Sequence, residues 1–203
     1  ALCPDGAGGA WLLCGSLPKG YFDAFGNFRF LSQEPEGKLA LAHYDAAFAL
    51  QEIVLLQTLY TDRFFQLRRL DGGFCMMSAS LLVRLDETGA ETARQSLDAK
   101  DGWSFAAMQE TDGVLYALTR NFYGIELPEL RKFTPDTLSA LESDVCTSEI
   151  TGLGLRADGR LLMGNSEELF AYDTGSGETE TLVRWQEIGA NVLTEQPWEL
   201  EDG

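Results

Sequence analysis

The side chains able to do acid–base, nucleophilic or metal chemistry are few here, and their order suggests none. The chain has one histidine, His43. A hydrolase or lyase generally needs a histidine or a metal centre for general-base work. His43 sits in no Ser-His-Asp or Cys-His pattern along the sequence, so it reads as structural. The 32 Asp and Glu residues contain no dense alternating run of the kind that ligates calcium. The four cysteines, Cys3, Cys14, Cys75 and Cys146, include no CxxC and no Cys/His cluster, which argues against zinc. No catalytic residue, metal or cofactor is therefore expected. Two aromatic stretches are more informative. Tyr21, Phe22, Asp23 and Phe25 fall in one; Asn121, Phe122 and Tyr123 fall in the other. Aromatic faces rimmed by amide and carboxylate groups suit a sugar or a peptide. These seven residues are the candidate ligand contacts. The same rings also suit packing beneath their own loops, and on residue type alone that is the commoner outcome.

The elements that must carry these stretches follow from a repeat. Six Asp-Gly pairs occur, against roughly 1.4 expected if the order of residues were random. Asp-Gly favours a tight hairpin, because Gly takes positive φ freely and Asp tolerates it. Five pairs, headed by Asp5, Asp71, Asp112, Asp158 and Asp202, fit one register with spacings of 66, 41, 46 and 44 residues. After each of the first four comes a short apolar run: AWLLCG, GFCMMS, VLYALT and LLMGN. Successive apolar residues predict a strand buried on both faces. A third strand and a turn follow at 81–91, 130–140 and 168–178, with a weaker copy at 28–38. Polar stretches at 91–97 and 178–185 read as exposed fourth strands. Residues 38–56 exceed what the first unit needs and read as its fourth strand with a short helix.

Four strands repeating every 40–50 residues are the signature of a β-propeller blade. The expected fold is all-β: a propeller or partial propeller of four-stranded antiparallel blades, four complete and a fifth begun. The blades cover approximately 1–55, 57–98, 99–146 and 147–190 of a single domain. In such a fold the loops between second and third strands share a ligand-binding face, and the two aromatic stretches lie in those loops. An open array leaves apolar terminal faces, so it either closes into a small ring or pairs with a second copy as a homodimer. Asp86 and Asp173 end third strands and read as caps of the next turn. Trp11 and Trp103 read as core. Cys3 and Cys14 flank one hairpin, within disulfide reach by sequence.

A net charge of −17 disfavours nucleic acid and anionic membrane surfaces. No apolar run reaches the roughly 18 residues of a membrane span, and no signal peptide is visible, so no direct membrane insertion is expected. The opening ALCPDG reads as the inside of a strand and the last residues as the start of another unit. The sequence therefore reads as a fragment of a longer protein.

The fourth unit, residues 152–192, carries a longer similarity. With Leu182–Trp185 as a Leu-x-x-Trp segment and Asn191 in the turn after it, it resembles the propeller-like region that precedes the solute-binding domain in extracellular solute-binding lipoproteins of Gram-positive gut bacteria. The resemblance implies secretion and cell-surface anchoring through a lipid on a segment outside this chain. It also implies a neighbouring two-lobed domain that binds a sugar or peptide for an ABC importer. The expected function is a non-catalytic binding or scaffolding module of a solute-uptake protein. The alternatives are a carbohydrate-active or lyase-type propeller enzyme and a protein–protein interaction scaffold.

Overall fold

A computed structural model describes residues 1–15, 20–22, 28–30, 38–58, 60, 62–97, 102–121, 123–124, 126–146 and 148–187; of 20–22 and 28–30 it describes the backbone alone. Among these residues there is no helix. Strands β1 (Leu2–Pro4), β2 (Ala10–Gly15), β5 (Leu39–Tyr44) and β6 (Leu50–Leu55) form a first sheet in that order, while β3 (Gly20–Phe22) and β4 (Phe28–Phe30) pair only with each other. A second sheet holds β7 (Gln66–Leu70), β8 (Gly73–Met77), β9 (Leu81–Asp86) and β10 (Glu91–Ser96). A third holds β11 (Trp103–Thr111), β12 (Val114–Asn121), β13 (Glu129–Phe133) and β14 (Asp144–Val145). A fourth holds β15 (Gly152–Leu155), β16 (Leu161–Gly164), β17 (Glu168–Tyr172) and β18 (Thr179–Arg184). The protein is thus all-β, built on four antiparallel four-stranded sheets.

Two expectations for the first sheet are corrected. Its third strand is β5, not the 28–38 stretch, because β2 pairs β5 directly from Gly15↔Leu39 to Ala10↔Tyr44. The expected helix within 38–56 is instead β5 and β6. The β3–β4 pair is an excursion between adjacent strands, and it accounts for the 66-residue first spacing.

The apolar columns behave as expected in three sheets. Every residue of β8 and of β16 is buried, as is the centre of β12. β2 is the exception: Trp11 and Leu13 are buried while Leu12 is half-buried and Cys14 exposed. Cross-strand partners share a face, so one row of the first sheet's outer face is Leu2, Leu12, Ala42 and Ile53. Pro4, Ala10, Tyr44 and Leu50 make the next row, and Cys14, Ala40 and Leu55 the third. Cys3 pairs with Trp11 on the opposite face from Cys14, which rules out a bridge between them; all four cysteines are free thiols.

The chain divides into two compact units, Ala1–Ser78 with Val83–Arg94, and Ala79–Leu82 with Gln95–Gly203. In the first, Trp11 meets Phe74 edge-on at 4.8 Å and stacks on His43 at 4.6 Å, and the Arg69 guanidinium lies over both Trp11 and Phe74. In the second, Tyr116, Leu118 and Leu130 of the third sheet pack on Leu161, Met163 and Phe170 of the fourth. Thr111 Oγ1 donates to the Gly159 carbonyl at 2.8 Å, and Arg120 donates to the Thr151 carbonyl. These two bonds tie the third sheet to the fourth.

The turns follow one rule that only part of the sequence displays. Two-residue Asp-Gly turns form at Asp71 and at Asp112, where φ is +52° at Asp112 and +71° at Gly113. At Asp5 and Asp158 the expected tight turn is a five-residue loop instead. Asp5 N–H donates to Gly9 O, and Arg156 N–H to Arg160 O. Similar loops close at Asp45, Asp86, Thr134 and Asp173. Each has its last-but-one residue in the left-handed region: Gly8, Phe48, Gly89, Leu138, Gly159 and Gly177. In the four Asp-headed loops with no following Asp-Gly turn of two residues, the carboxylate closes the ring. Asp86 Oδ1 accepts from the Thr88 and Ala90 N–H groups, and Asp173 Oδ1 from Gly175 and Ser176, which is the capping role expected of both.

Candidate functional site

The second aromatic stretch emerges at one end of the third sheet. β11 and β12 are long strands, so their open end projects Trp103 opposite Asn121. The Asn121 side-chain oxygen accepts the Tyr123 N–H at 3.0 Å, and its carbonyl accepts the Gly124 N–H at 3.0 Å. Asn121 therefore shapes the turn, and Tyr123 is what the turn displays, 67% exposed. An edge of the Tyr123 ring lies against Gly102: a Cβ there would fall 2.5 Å from two ring carbons. Phe122 lies outside the described residues.

β13 completes this end. Glu129 lies opposite Thr119 and Arg131 opposite Ala117, which puts both side chains on the Trp103 face. The Arg131 guanidinium sits 5.7 Å from the centre of the half-buried Trp103 ring. Its Nε donates to Glu129 Oε2 at 3.0 Å. The expectation that Trp103 is core is thus corrected: it is half-buried, beside a cation–carboxylate pair. Below them runs a groove of about 160 Å³, lined by Gln95, Leu97, Phe105, Glu129, Arg131 and Phe133 among others. Pockets that enclose small molecules measure about 300–1,000 Å³. The groove can therefore cradle one ring or one side chain; neither Trp103 nor Tyr123 lines it, so a ligand at their end must lie across the surface. The sequence reading missed Glu129 and Arg131. Only the β12–β13 register brings them beside Trp103, and nothing in their local sequence signals it.

Of the first aromatic stretch, Tyr21 and Phe22 lie on β3, opposite Arg29 and Phe28. Asp23 and Phe25 lie outside the described residues. This stretch belongs to the first compact unit, and Asn121 and Tyr123 to the second.

His43 has a partner that the sequence reading did not find. Its Nε2 lies 2.9 Å from Asp5 Oδ2, and its ring is stacked on Trp11. The side-chain bond from His43 is the main reason the Asp5 carboxyl is held below its ordinary value, helped by the Ala7 and Gly9 N–H groups. Asp5 is therefore ionised and His43 Nε2–H is the donor. Three of the cysteines are inert by burial: desolvation pushes Cys3 and Cys146 up to about 11 and Cys75 to about 12. Among the described residues no group of three His, Cys, Asp or Glu side chains is placed to hold a metal ion, and no helix is long and apolar enough to cross a membrane.

No family model matches this chain, and no curated protein does. Among solved structures it is similar to one described as the extracellular domain of the one component system BT4673 from B. thetaiotaomicron. The identity is 14% and the TM-score 0.47, over 77% of this chain and 22% of that one. The chain therefore spans less than a quarter of that neighbour's length.

Proposed function

We propose that the four sheets are blades of a propeller or partial propeller, and that the chain is a non-catalytic binding module. Its ligand is a sugar or peptide lying across the Trp103–Tyr123 end of the third sheet. The observation that carries this reading is an exposed tyrosine and a half-buried tryptophan beside a paired arginine and glutamate. Ring faces take up the apolar side of a pyranose or a peptide side chain, and the ion pair offers both donors and acceptors to its hydroxyl or amide groups. The resemblance of the fourth unit supports placing the module in a secreted, lipid-anchored solute-uptake protein.

The test is binding of the purified chain to glycan and peptide arrays, with Tyr123→Ala, Arg131→Met and Tyr21→Ala beside the wild type. Ligand retained by wild type and weakened about tenfold or more by Tyr123→Ala and Arg131→Met supports the site. Loss in Tyr21→Ala alone moves it to the first aromatic stretch. An absence of any array ligand removes this reading.

A second reading, a propeller enzyme, has one observation in its favour, the Asp5–His43 pair. One carboxylate oxygen orients the imidazole, as in acid–base pairs. Its test is turnover of array-positive glycans that His43→Gln abolishes while binding persists.

A further inference from the structure

Five of the six loops described above resolve the cost of their left-handed residue inside the chain. Four use glycine. The fifth uses Leu138 at φ +51°, which is wholly buried and whose carbonyl accepts from Gln95 Nε2 at 3.0 Å. The sixth puts Phe48 at φ +59° with 89% of it in water. A bulky side chain in that backbone region is strained, and an exposed phenyl ring adds a second penalty. The Asp45 carboxylate holds the backbone of this loop through the Ala47 and Ala49 N–H groups, but no described contact covers the ring.

Phe48 stands at the tip joining β5 to β6, two strands of the first sheet. None of the eleven paired positions of that sheet's outer face carries a charge, in a chain whose net charge is −17. Its edges are open: Leu2 is 61% exposed, Ile53 56% and Leu55 64%. An outer edge strand ordinarily carries charges to block pairing. β10 and β18 do so, through Glu91 and Arg94 and through Glu180 and Arg184. β6 carries one charge, Glu52, opposite His43 on the other face, and presents Leu50, Ile53 and Leu55 on this one.

We infer that this face is a self-association surface, covered by the same face of a second copy. Two flat sheet faces stack with nearly aligned strands whichever sheets they belong to, so the face is complementary to itself across a two-fold axis. Charge favours this occupant. Two copies at −17 repel each other in general, and an uncharged face is where they can meet at least electrostatic cost. Size sets the strength. The face and Phe48 supply about a dozen residues, against the 20–30 a side of a standard stable interface. The association is therefore weak and concentration-dependent, with a dissociation constant on the order of micromolar or above.

Sedimentation velocity on the chain from about 1 to 300 μM tests this. The weight-average mass should rise from one copy toward two. Ile53→Lys and Phe48→Gly should each move the midpoint to at least about tenfold higher concentration. Leu155→Lys, an exposed apolar position of the fourth sheet, should leave it in place. Cys14 supplies a reporter on the face itself, since it is exposed there and the other three thiols are buried. Its modification by a maleimide should slow as wild-type concentration rises, and should not slow in Ile53→Lys. Both substituted positions are solvent-facing, and circular dichroism with a melting curve verifies that each variant folds. A single-copy mass throughout overturns the inference. So does a dimer that Ile53→Lys leaves intact, or one in which Cys14 reacts at an unchanged rate. A chain that stays single and floats with neutral phosphatidylcholine vesicles through Ile53 also overturns it, in favour of a lipid surface.

Discussion

Arg84 is 4% exposed, and its guanidinium donates to the backbone carbonyls of Asp71, Phe74 and Leu85. A buried charge is tolerable only when its donors are used. Here Nη1 and Nη2 hold the Asp71-Gly72 turn against β9, while the buried Nε has no hydrogen-bond partner among the described residues. The turn in return needs Gly73, since a Cβ there would fall 2.1 Å from the Leu85 carbonyl oxygen at φ +150°. Arg84→Met should cost about 2–4 kcal/mol, because it removes the buried donor to the Phe74 and Leu85 carbonyls. Gly73→Ala should cost at least as much, because backbone has to move. Urea unfolding of the two variants measures both. Residues of this kind act by position alone. No composition or spacing separates Arg84 from an exposed arginine, which is also why Arg131 went unread beside Trp103.

At the scale of elements, the excursion through β3 and β4 leaves and rejoins two strands that already pair from Gly15↔Leu39 inward. Replacing residues 16–38 by a two-residue turn should therefore preserve the first sheet, with a change in unfolding free energy within about 1 kcal/mol. The same deletion removes Tyr21 and Phe22, so it also asks whether the first aromatic stretch contributes to binding. Leu138→Gly makes the opposite point. It relieves a left-handed leucine yet should destabilise by about 2–5 kcal/mol, because it empties a buried position. The sheets were legible in the sequence because their signal is local: an apolar run between turn residues. β8, β12 and β16 follow it directly. The third strand of the first sheet was not legible. FRF at 28–30 has the right local pattern, and only the long-range pairing of β2 with β5 decides against it. The five-residue loops were half legible. The leading Asp of four of them is visible, but Thr134 and Arg156 head the other two, and the left-handed residue is disguised wherever it is not glycine. Of the candidate site, Tyr123 was legible as an aromatic in a long loop. Glu129 and Arg131 become neighbours of Trp103 only once the β12–β13 register is known.

For the whole molecule the acidic surplus and the turn carboxylates act in opposite directions with pH. Asp86 is held below its ordinary value of 3.8 by the Thr88 hydroxyl and the loop N–H groups. Asp173 is lowered by its own loop's N–H groups, Asp158 and Glu180 by Arg160, and Asp5 by His43. A carboxylate whose folded value is depressed contributes stability above its unfolded value, and that stability is lost as pH falls through the folded value. The window for these groups lies below about pH 4.5, and for the aspartates below 3.8. Self-repulsion at a net charge of −17 works the other way. It is greatest at neutral pH and relaxes only as carboxylates protonate, at about pH 4.5 and below. Above that point the depressed groups stay ionised and the surplus charge changes little. The melting temperature should therefore stay nearly level as pH falls from 8 to about 5, and then drop steeply below about 4. Raising salt from 0.15 to 1 M shortens the screening length from about 8 to 3 Å. It should raise the melting temperature at pH 8 and at pH 5 alike. In Asp5→Asn the acid limb should be shallower, with the level neutral limb kept, because that variant loses one depressed carboxylate and only one charge of the surplus. Calorimetric scans across pH and salt measure all three. A melting temperature that salt leaves unchanged at pH 8 would show that charge repulsion is not what limits this fold.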